Sequence, residues 1–533
     1  MIRISIIGGL VAAMALALGL AISWGDAWWV LAAVAIVCVG IGIWDVTQVR
    51  HSVLRNYPLV GHLRFAMESI RPEFQQYFIE RNFDGRPFDR DTRDVIYQRS
   101  KNIEDVSSFG TERNVNEVGY EYLVHSMVPV PIPAEPPRVT VGGPDCSKPY
   151  DMALLNVSAM SFGSLSPNAV LALNGGAARG HFAQDTGEGG VSEYHLRPGG
   201  DLIWELGTGY FGARTANGDF DPQMFADKSA MESIKCVELK LSQGAKPGKG
   251  GILPAAKVSA EIAAVRNVAI GEDCISPSFH SVFRTPRELI RFIAEMRQLA
   301  GGKPTGFKLC VGSRVEVLAI CKAMVEEGTT PDFIVVDGSE GGTGAAPLEY
   351  QDHVGSPLTE GLTTVHNALV GVGLREEIRI GAAGKVATGS DVVKRLIQGA
   401  DYTNAARPMM MAVGCIQTQL CHTNHCPTGV ATQDPRRANA LHVPTKTDRV
   451  FHYQRNTVHE AQTIMASMGC SSPAGLDTTM LVRRISHCDT KSYADLYEWL
   501  EPGQLLAEAP NSWARDWNAA DADSFGHSSS PSR

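Results

Sequence analysis

Between residues 154 and 405, short apolar or β-branched runs alternate with stretches of helical pattern, and no other feature narrows the possible folds as much. Such alternation calls for parallel βα units. Strands are predicted at 154–160, 182–185, 237–241, 274–276, 306–311, 333–336, 378–381 and 402–405, with helices between several of them, as at 285–299 and 313–327. Eight strands are the natural count for a closed (β/α)8 TIM barrel, which takes roughly 250 residues. The alternative is an open doubly wound sheet. It lacks its usual mark, since no Gly-x-Gly-x-x-Gly turn follows an early strand. The expected fold class is therefore α/β, a TIM barrel spanning residues 149–470 of the 533.

Residues 4–22 and 27–44 are two uncharged, largely apolar runs joined by Ser23, Trp24, Gly25 and Asp26. Each approaches the roughly 20 residues that a helix needs to cross hydrocarbon. Trp28 and Trp29 suit a membrane interface, and Arg3, Arg50 and Arg55 flank the pair. These features predict a transmembrane hairpin over 1–48, with both ends and the catalytic domain on the cytoplasmic side of the inner membrane. A cleaved signal peptide fits less well, because a second span follows at once. A buried soluble hairpin would be expected to show a polar face, and neither run has one.

Residues 49–148 form a charged lead-in that ends in the proline-dense connector 129–137. A helical appendage is expected at 471–517, and a Ser/Asp-rich disordered tail at 518–533. The formal net charge of −9 argues against a nucleic-acid surface. An anionic substrate would then need a local basic pocket.

Several predicted strand ends run into glycine-rich segments, at 160–163, 186–190, 243–251, 340–344 and 384–385. Barrel active sites lie at the C-terminal strand ends, and phosphate commonly binds after strands seven and eight. Gly384 and Lys385 follow the seventh strand, and Arg407 the eighth. Lys240 and Lys308 sit inside apolar strands, where an unpaired lysine is rare. They read either as cations beside an electron-rich ring or as side chains reaching past the rim. Lys246 and Arg266 could supply the basic pocket for a dicarboxylate.

Eleven irregularly spread cysteines suit a reducing compartment. Three of them, Cys415, Cys421 and Cys426, make a C-x5-C-x4-C run followed by Pro427. Spacing alone leaves three uses open: an iron–sulfur cluster, zinc completed by His422 or His425, and unligated structural thiols.

The stretch 414–433 resembles the three-cysteine loop of the central FMN domain of glutamate synthases, and the segments 160–163, 186–190, 243–248 and 340–345 resemble motifs of the same family. The likeness covers roughly 145–470. It implies an FMN barrel with a [3Fe-4S] cluster on Cys415, Cys421 and Cys426. The implied reaction is reductive amination of 2-oxoglutarate to L-glutamate. Position by position, it implies flavin contacts at Met160, Ser161, Lys240, Lys308, Gly341 and Gly342, and a phosphate end at Gly384, Lys385, Ala406 and Arg407. Gln243, Lys246 and Arg266 would hold 2-oxoglutarate, with Glu188, Lys246 and Lys308 closest to the chemistry. The chain departs from full-length members in opening with an apolar hairpin in place of a glutaminase with an N-terminal cysteine. It also departs in 382–385 and 404–407, where the family is richer in glycine. Ammonia is therefore expected free or from a separate glutaminase, and electrons from a ferredoxin or a reductase. Another 2-oxo acid or amino acid, with electrons passing toward the membrane, is the alternative reaction. A membrane scaffold without turnover is the reading from another class, and the complete cysteine triad and the lysines argue against it.

Overall fold

The computed structural model describes residues 2–526 and divides into two compact units, Met1–Arg90 and Asp91–Arg533. In the first unit, helices Ile2–Trp24 and Ala27–Thr47 are both long and apolar enough to cross a membrane. They pack together, and a Cβ on Gly42 would come within 2.9 Å of Ile7. Their other faces leave Ile4, Leu16, Val30, Val37 and Trp44 exposed. The buried carboxylate of Asp45 accepts from the Leu59 N–H at 2.9 Å and meets His62 Nε2 at 2.9 Å. Those contacts anchor the following helix, Gly61–Phe74, to the end of the hairpin.

The second unit holds a closed barrel of eight parallel strands. These are β1 (Leu155–Val157), β2 (Gln184–Asp185), β3 (Leu202–Leu206), β4 (Ile234–Lys240), β5 (Thr305–Leu309), β6 (Phe333–Asp337), β7 (Arg379–Ala383) and β8 (Tyr402–Ala405). Neighbours pair in chain order, and β8 closes on β1. Strands covered on both faces read as near-continuous apolar runs, as Phe-Ile-Val-Val does in β6. The flanking helices carry their own start signals. Thr285 and Glu288 form a capping box ahead of Pro286–Leu299, and Thr388 and Asp391 do the same for Gly389–Ile397.

Two details differ from the expected strand set. Residues 202–206 form β3, although the run carries a glutamate and follows directly on Pro198, Gly199 and Gly200. Cys274 and Ile275 are not a barrel strand. They pair antiparallel with Ile252 and Leu253 in a small ribbon above the barrel. The total of eight survives because one error offsets the other.

The N-terminal end of the barrel is plugged by an antiparallel pair, Arg138–Val141 with Tyr150–Ala153. Val141 and Met152 pack there with Ile203, Cys236, Phe333 and Tyr402 to make a dry floor. Residues 91–148 belong with this unit rather than with the hairpin. Tyr97 donates to the Cys415 carbonyl, and the N–H groups of Ser126 and Val130 reach Ser467 and Ala466. Residues 481–484 and 490–492 are strands rather than helix, and the former pairs with Glu121–Leu123. The described part of the tail is ordered. Trp513 is buried beneath the Arg314 guanidinium, 4.5 Å from the ring centre, and Asp523 pairs with Arg287 at 2.7 Å. The tryptophans and alternating charges of 511–523 supply contacts that a Ser/Asp-rich composition conceals. Residues 527–533 lie outside the described part.

Candidate active site

Inside the barrel, polarity changes with height. Above the dry floor, β2, β3, β4, β5 and β6 send Asp185, Glu205, Glu238, Lys240, Lys308 and Asp337 inward. Lys240 and Lys308 face each other in register across β4 and β5. They are 7% and 4% exposed, so both point into the barrel and not past its rim. Lys308 is in contact with the Glu205 carboxylate and lies 3.3 Å from Glu238. Lys240 pairs with Glu188 at 2.6 Å and lies 3.9 Å from Glu205. Carboxylates therefore brace each cation from more than one side. A buried pair of this kind is costly to break, because the survivor is left uncompensated.

Five carboxyls surround two lysines here, and they titrate apart. Burial pushes Glu238 well above its usual range, and the Asp185 carboxyl beside it acts in the same direction. Burial also raises Asp185 and Asp337, against the opposing pull of Lys308. Glu188 goes the other way. Burial alone would raise it, but Lys240, with Lys246 and Arg266 behind, brings it down to about 2. Glu188 is thus held as an anion, while burial biases Asp185, Glu238 and Asp337 toward their protonated forms.

This charged layer forms the bottom of an open cleft at the C-terminal strand ends, with a cavity of about 80 Å3. One wall holds Ser161, Gly187 and Glu188. Asp337, Gly341 and Gly342 lie along another. The far end is made by Gly384 and Lys385 after β7 and by Ala406 and Arg407 after β8. Burial lowers the Arg407 guanidinium to about 10, with Asp337 and Glu340 acting in the opposite direction. Its Nη2 donates to the Glu340 carbonyl, which fixes it beside the 340–342 turn.

Most of the expected site residues converge on this cleft; Met160, Lys246 and Arg266 are not among its lining residues. Met160 is buried in the turn after β1. Arg266 donates to the Phe162 carbonyl at 3.1 Å and stacks over Phe211, so it braces the 161–163 loop from behind. Lys246 donates to the Ala345 carbonyl at 3.2 Å at the cleft edge. There Gln243 accepts from Lys240 at 3.2 Å and donates to Thr343 at 3.4 Å.

Two of the glycines serve a purpose besides ligand approach. A Cβ on Gly244 would sit 1.8 Å from the Gly338 carbonyl, and one on Gly187 would sit 2.5 Å from the Ser161 N–H. They let the cleft loops pack on each other, backbone to backbone.

The cysteine loop adjoins the cleft. It leaves helix Arg407–Val413 at Gly414 and returns through Val430 and Ala431. Gln433 Nε2 donates to the carbonyls of Gly163 and Leu165 at 3.0 and 2.7 Å, and Ser166 N–H donates to the Val430 carbonyl. The thiols feel one another. Burial and the two neighbouring thiols raise Cys415 to about 12, while hydrogen bonds from Thr428 and nearby backbone outweigh burial and lower Cys426. Among the described residues, Asp185, Glu205 and Glu238 form the one set of three candidate ligands whose atoms close to within 4.8 Å.

Sequence reasoning missed Asp185, Glu205, Glu238 and Asp337. A signal for them was present, since Glu238 stands two residues before Lys240 and so on the same face of β4. It also missed Lys257, a buried lysine on the short helix Ala255–Lys257, for which no comparable signal exists.

A barrel with a cation-lined cleft at its strand ends defines the class as a barrel enzyme. A profile described as a conserved region in glutamate synthase matches residues 146–471, and the chain belongs to that family of oxidoreductases. The Bacillus subtilis glutamate synthase large subunit-like protein YerD is 38% identical over 83% of this chain and 92% of its own length. The archaeal-type glutamate synthase [NADPH] of Thermotoga neapolitana is 33% identical, over 59% of each chain. The ferredoxin-dependent glutamate synthase of Antithamnion sp. is 35% identical over 49% of this chain and 17% of its own length. Among solved structures, a mutant flavocytochrome b2 with pyruvate bound aligns with a TM-score of 0.41 and 14% identity, covering 84% of this chain and 91% of that one.

Proposed function

We propose that the chain is an FMN- and iron–sulfur-dependent oxidoreductase that forms L-glutamate from 2-oxoglutarate and ammonia, anchored to a membrane by its N-terminal hairpin. The observation that carries this reading is the junction of two structures: the cysteine loop is hydrogen-bonded directly onto the loop that lines the cleft at Ser161. The residues present fit the flavin. Lys385 and Arg407 would hold its phosphate, and Lys240 and Lys308 would keep positive charge against its ring. Bound there, FMN would supply hydride-transfer chemistry, and a cluster held by Cys415, Cys421 and Cys426 would supply one-electron chemistry. The chain's own residues do the rest. Gln243 and Lys246 form the positive edge that receives a dicarboxylate, and Glu188 remains ionised beside it. Burial and their mutual contact favour a shared proton on the deeper Asp185–Glu238 pair, below the cleft.

Ammonia arrives free or from a separate glutaminase, and electrons from a ferredoxin or a reductase. A second reading keeps both cofactors but oxidises another 2-oxo acid or an amino acid, passing electrons toward the membrane. The exposed apolar faces of the hairpin favour it, since they would bring the enzyme close to lipid-soluble acceptors. The two readings separate on anaerobically reduced full-length protein. Reoxidation of the flavin by 2-oxoglutarate plus ammonium, but by neither alone, supports glutamate formation. No reoxidation at high ammonium would favour the second.

A further inference from the structure

Lys257 is 3% exposed, yet it makes no ion pair with a carboxylate among the described residues. Buried lysines are rare unless they are paired. Its ammonium is instead aimed at three backbone carbonyls: Ser164 at 2.9 Å, Cys421 at 3.2 Å and Ala431 at 3.4 Å. Ser164 belongs to the loop that carries Ser161 into the cleft. Cys421 and Ala431 lie on the outgoing and returning arms of the cysteine loop. One side chain therefore joins both arms of that loop to the cleft wall. The acidic groups acting on it are the Cys421 and Cys426 thiols, and Arg266 is the neighbouring cation.

From this geometry we infer that Lys257 is a positioning residue that fixes the cysteine loop against the cleft and whose positive charge favours the reduced state of the cluster. The inference rests on the iron–sulfur reading above. Three carbonyl acceptors orient the ammonium without neutralising it. In the barrel, Lys240 and Lys308 are compensated by Glu188 and Glu205; at Lys257 only the thiolates of a loaded loop can play that part. Adding an electron to the cluster adds negative charge close to this fixed cation. In a site with little water, such an interaction is strong. Removing the charge therefore makes reduction harder, and the lysine contributes both to holding the loop and to setting its potential.

The test compares the full-length wild type with Lys257→Met and Lys257→Arg, purified anaerobically. Iron and flavin are quantified, and the three-iron EPR signal is followed through a dithionite titration. Lys257→Met is expected to shift the one-electron reduction equilibrium of the cluster at least tenfold toward the oxidised form, about 59 mV. The flavin potential should move much less, and Lys257→Arg should stay near wild type. A merely structural lysine would leave the potential of any loaded cluster where it was. An unchanged potential in a fully loaded Lys257→Met overturns the inference. If Lys257→Met loses its iron, Lys257→Arg must restore both iron and potential; failure of that rescue also overturns it. A wild type that has no three-iron signal at all defeats the underlying cluster reading instead, and the two failures are thereby told apart.

Discussion

The two charged regions of this protein balance their charge differently. In the barrel, Lys240 and Lys308 are braced by Glu188, Glu205 and Glu238, so the layer is complete as protein alone. In the cysteine loop, a buried lysine faces three carbonyls and the Cys421 and Cys426 thiols, and the charges that would balance it exist only when those thiols are deprotonated. The barrel layer is preorganised to meet a ligand. On the reading proposed above, the loop is completed by one.

The largest effect should come from the loop. Cys421→Ser is expected to reduce iron to background while FMN stays bound, as read by metal analysis and the flavin spectrum. Ligand thiolates are what hold such clusters. Loss of both cofactors together would show that the loop is part of the barrel's own stability, and the contrast between the regions would collapse.

Next comes Lys308→Met, which strips Glu205 and Glu238 of their cation. Breaking a buried pair costs about 3–5 kcal/mol. Thermal unfolding of the variant should fall accordingly, with iron content unaffected. A change under about 1 kcal/mol would mean that the barrel layer is not self-compensated.

The third test uses pH. The folded value for Glu188, about 2, lies below the ordinary glutamate value of 4.5. A depressed carboxylate stabilises the fold fully above its unfolded pKa, and that contribution is lost as pH falls through the folded value. Stability should therefore decline between about pH 4.5 and 2, by on the order of 3 kcal/mol from this group. Glu188→Gln should flatten that part of the curve; an unaltered slope would remove Glu188 from the account.

The smallest effect is expected at Gln433, the neutral tie between the same two loops. Gln433→Ala gives up two hydrogen bonds and should cost about 1–2 kcal/mol in unfolding. The cluster potential should stay within a few millivolts of wild type, unlike in Lys257→Met. A potential shift as large as that of Lys257→Met would trace the effect to loop position rather than to charge.

Much of the architecture was legible because parallel strands covered on both sides have to be apolar, and their ends turn on glycine. The strand Leu202–Leu206 escaped because Glu205 interrupts it. That same glutamate is what compensates Lys308, so the residue that hid the strand belongs to the site. Arg266 reads from the sequence as part of a basic pocket for a dicarboxylate, but not as a brace for the Phe162 carbonyl. Its direction is set by contacts over a hundred residues away in sequence. Lys257 was illegible for the same reason. In sequence it is one lysine closing a three-residue turn after two alanines, and only the fold assembles three carbonyls around it. Residues 518–526 were read as part of a disordered tail because composition does not reveal that Asp523 has a partner in Arg287.

The central claim is that the cysteine loop is completed by a cluster beside a flavin. Metal and flavin analysis of the anaerobically purified full-length protein, with EPR on the same sample, tests it most directly. The account predicts three irons and one FMN per chain, with the signal of an oxidised three-iron cluster that disappears on one-electron reduction. One zinc per chain, or flavin without iron, would contradict it.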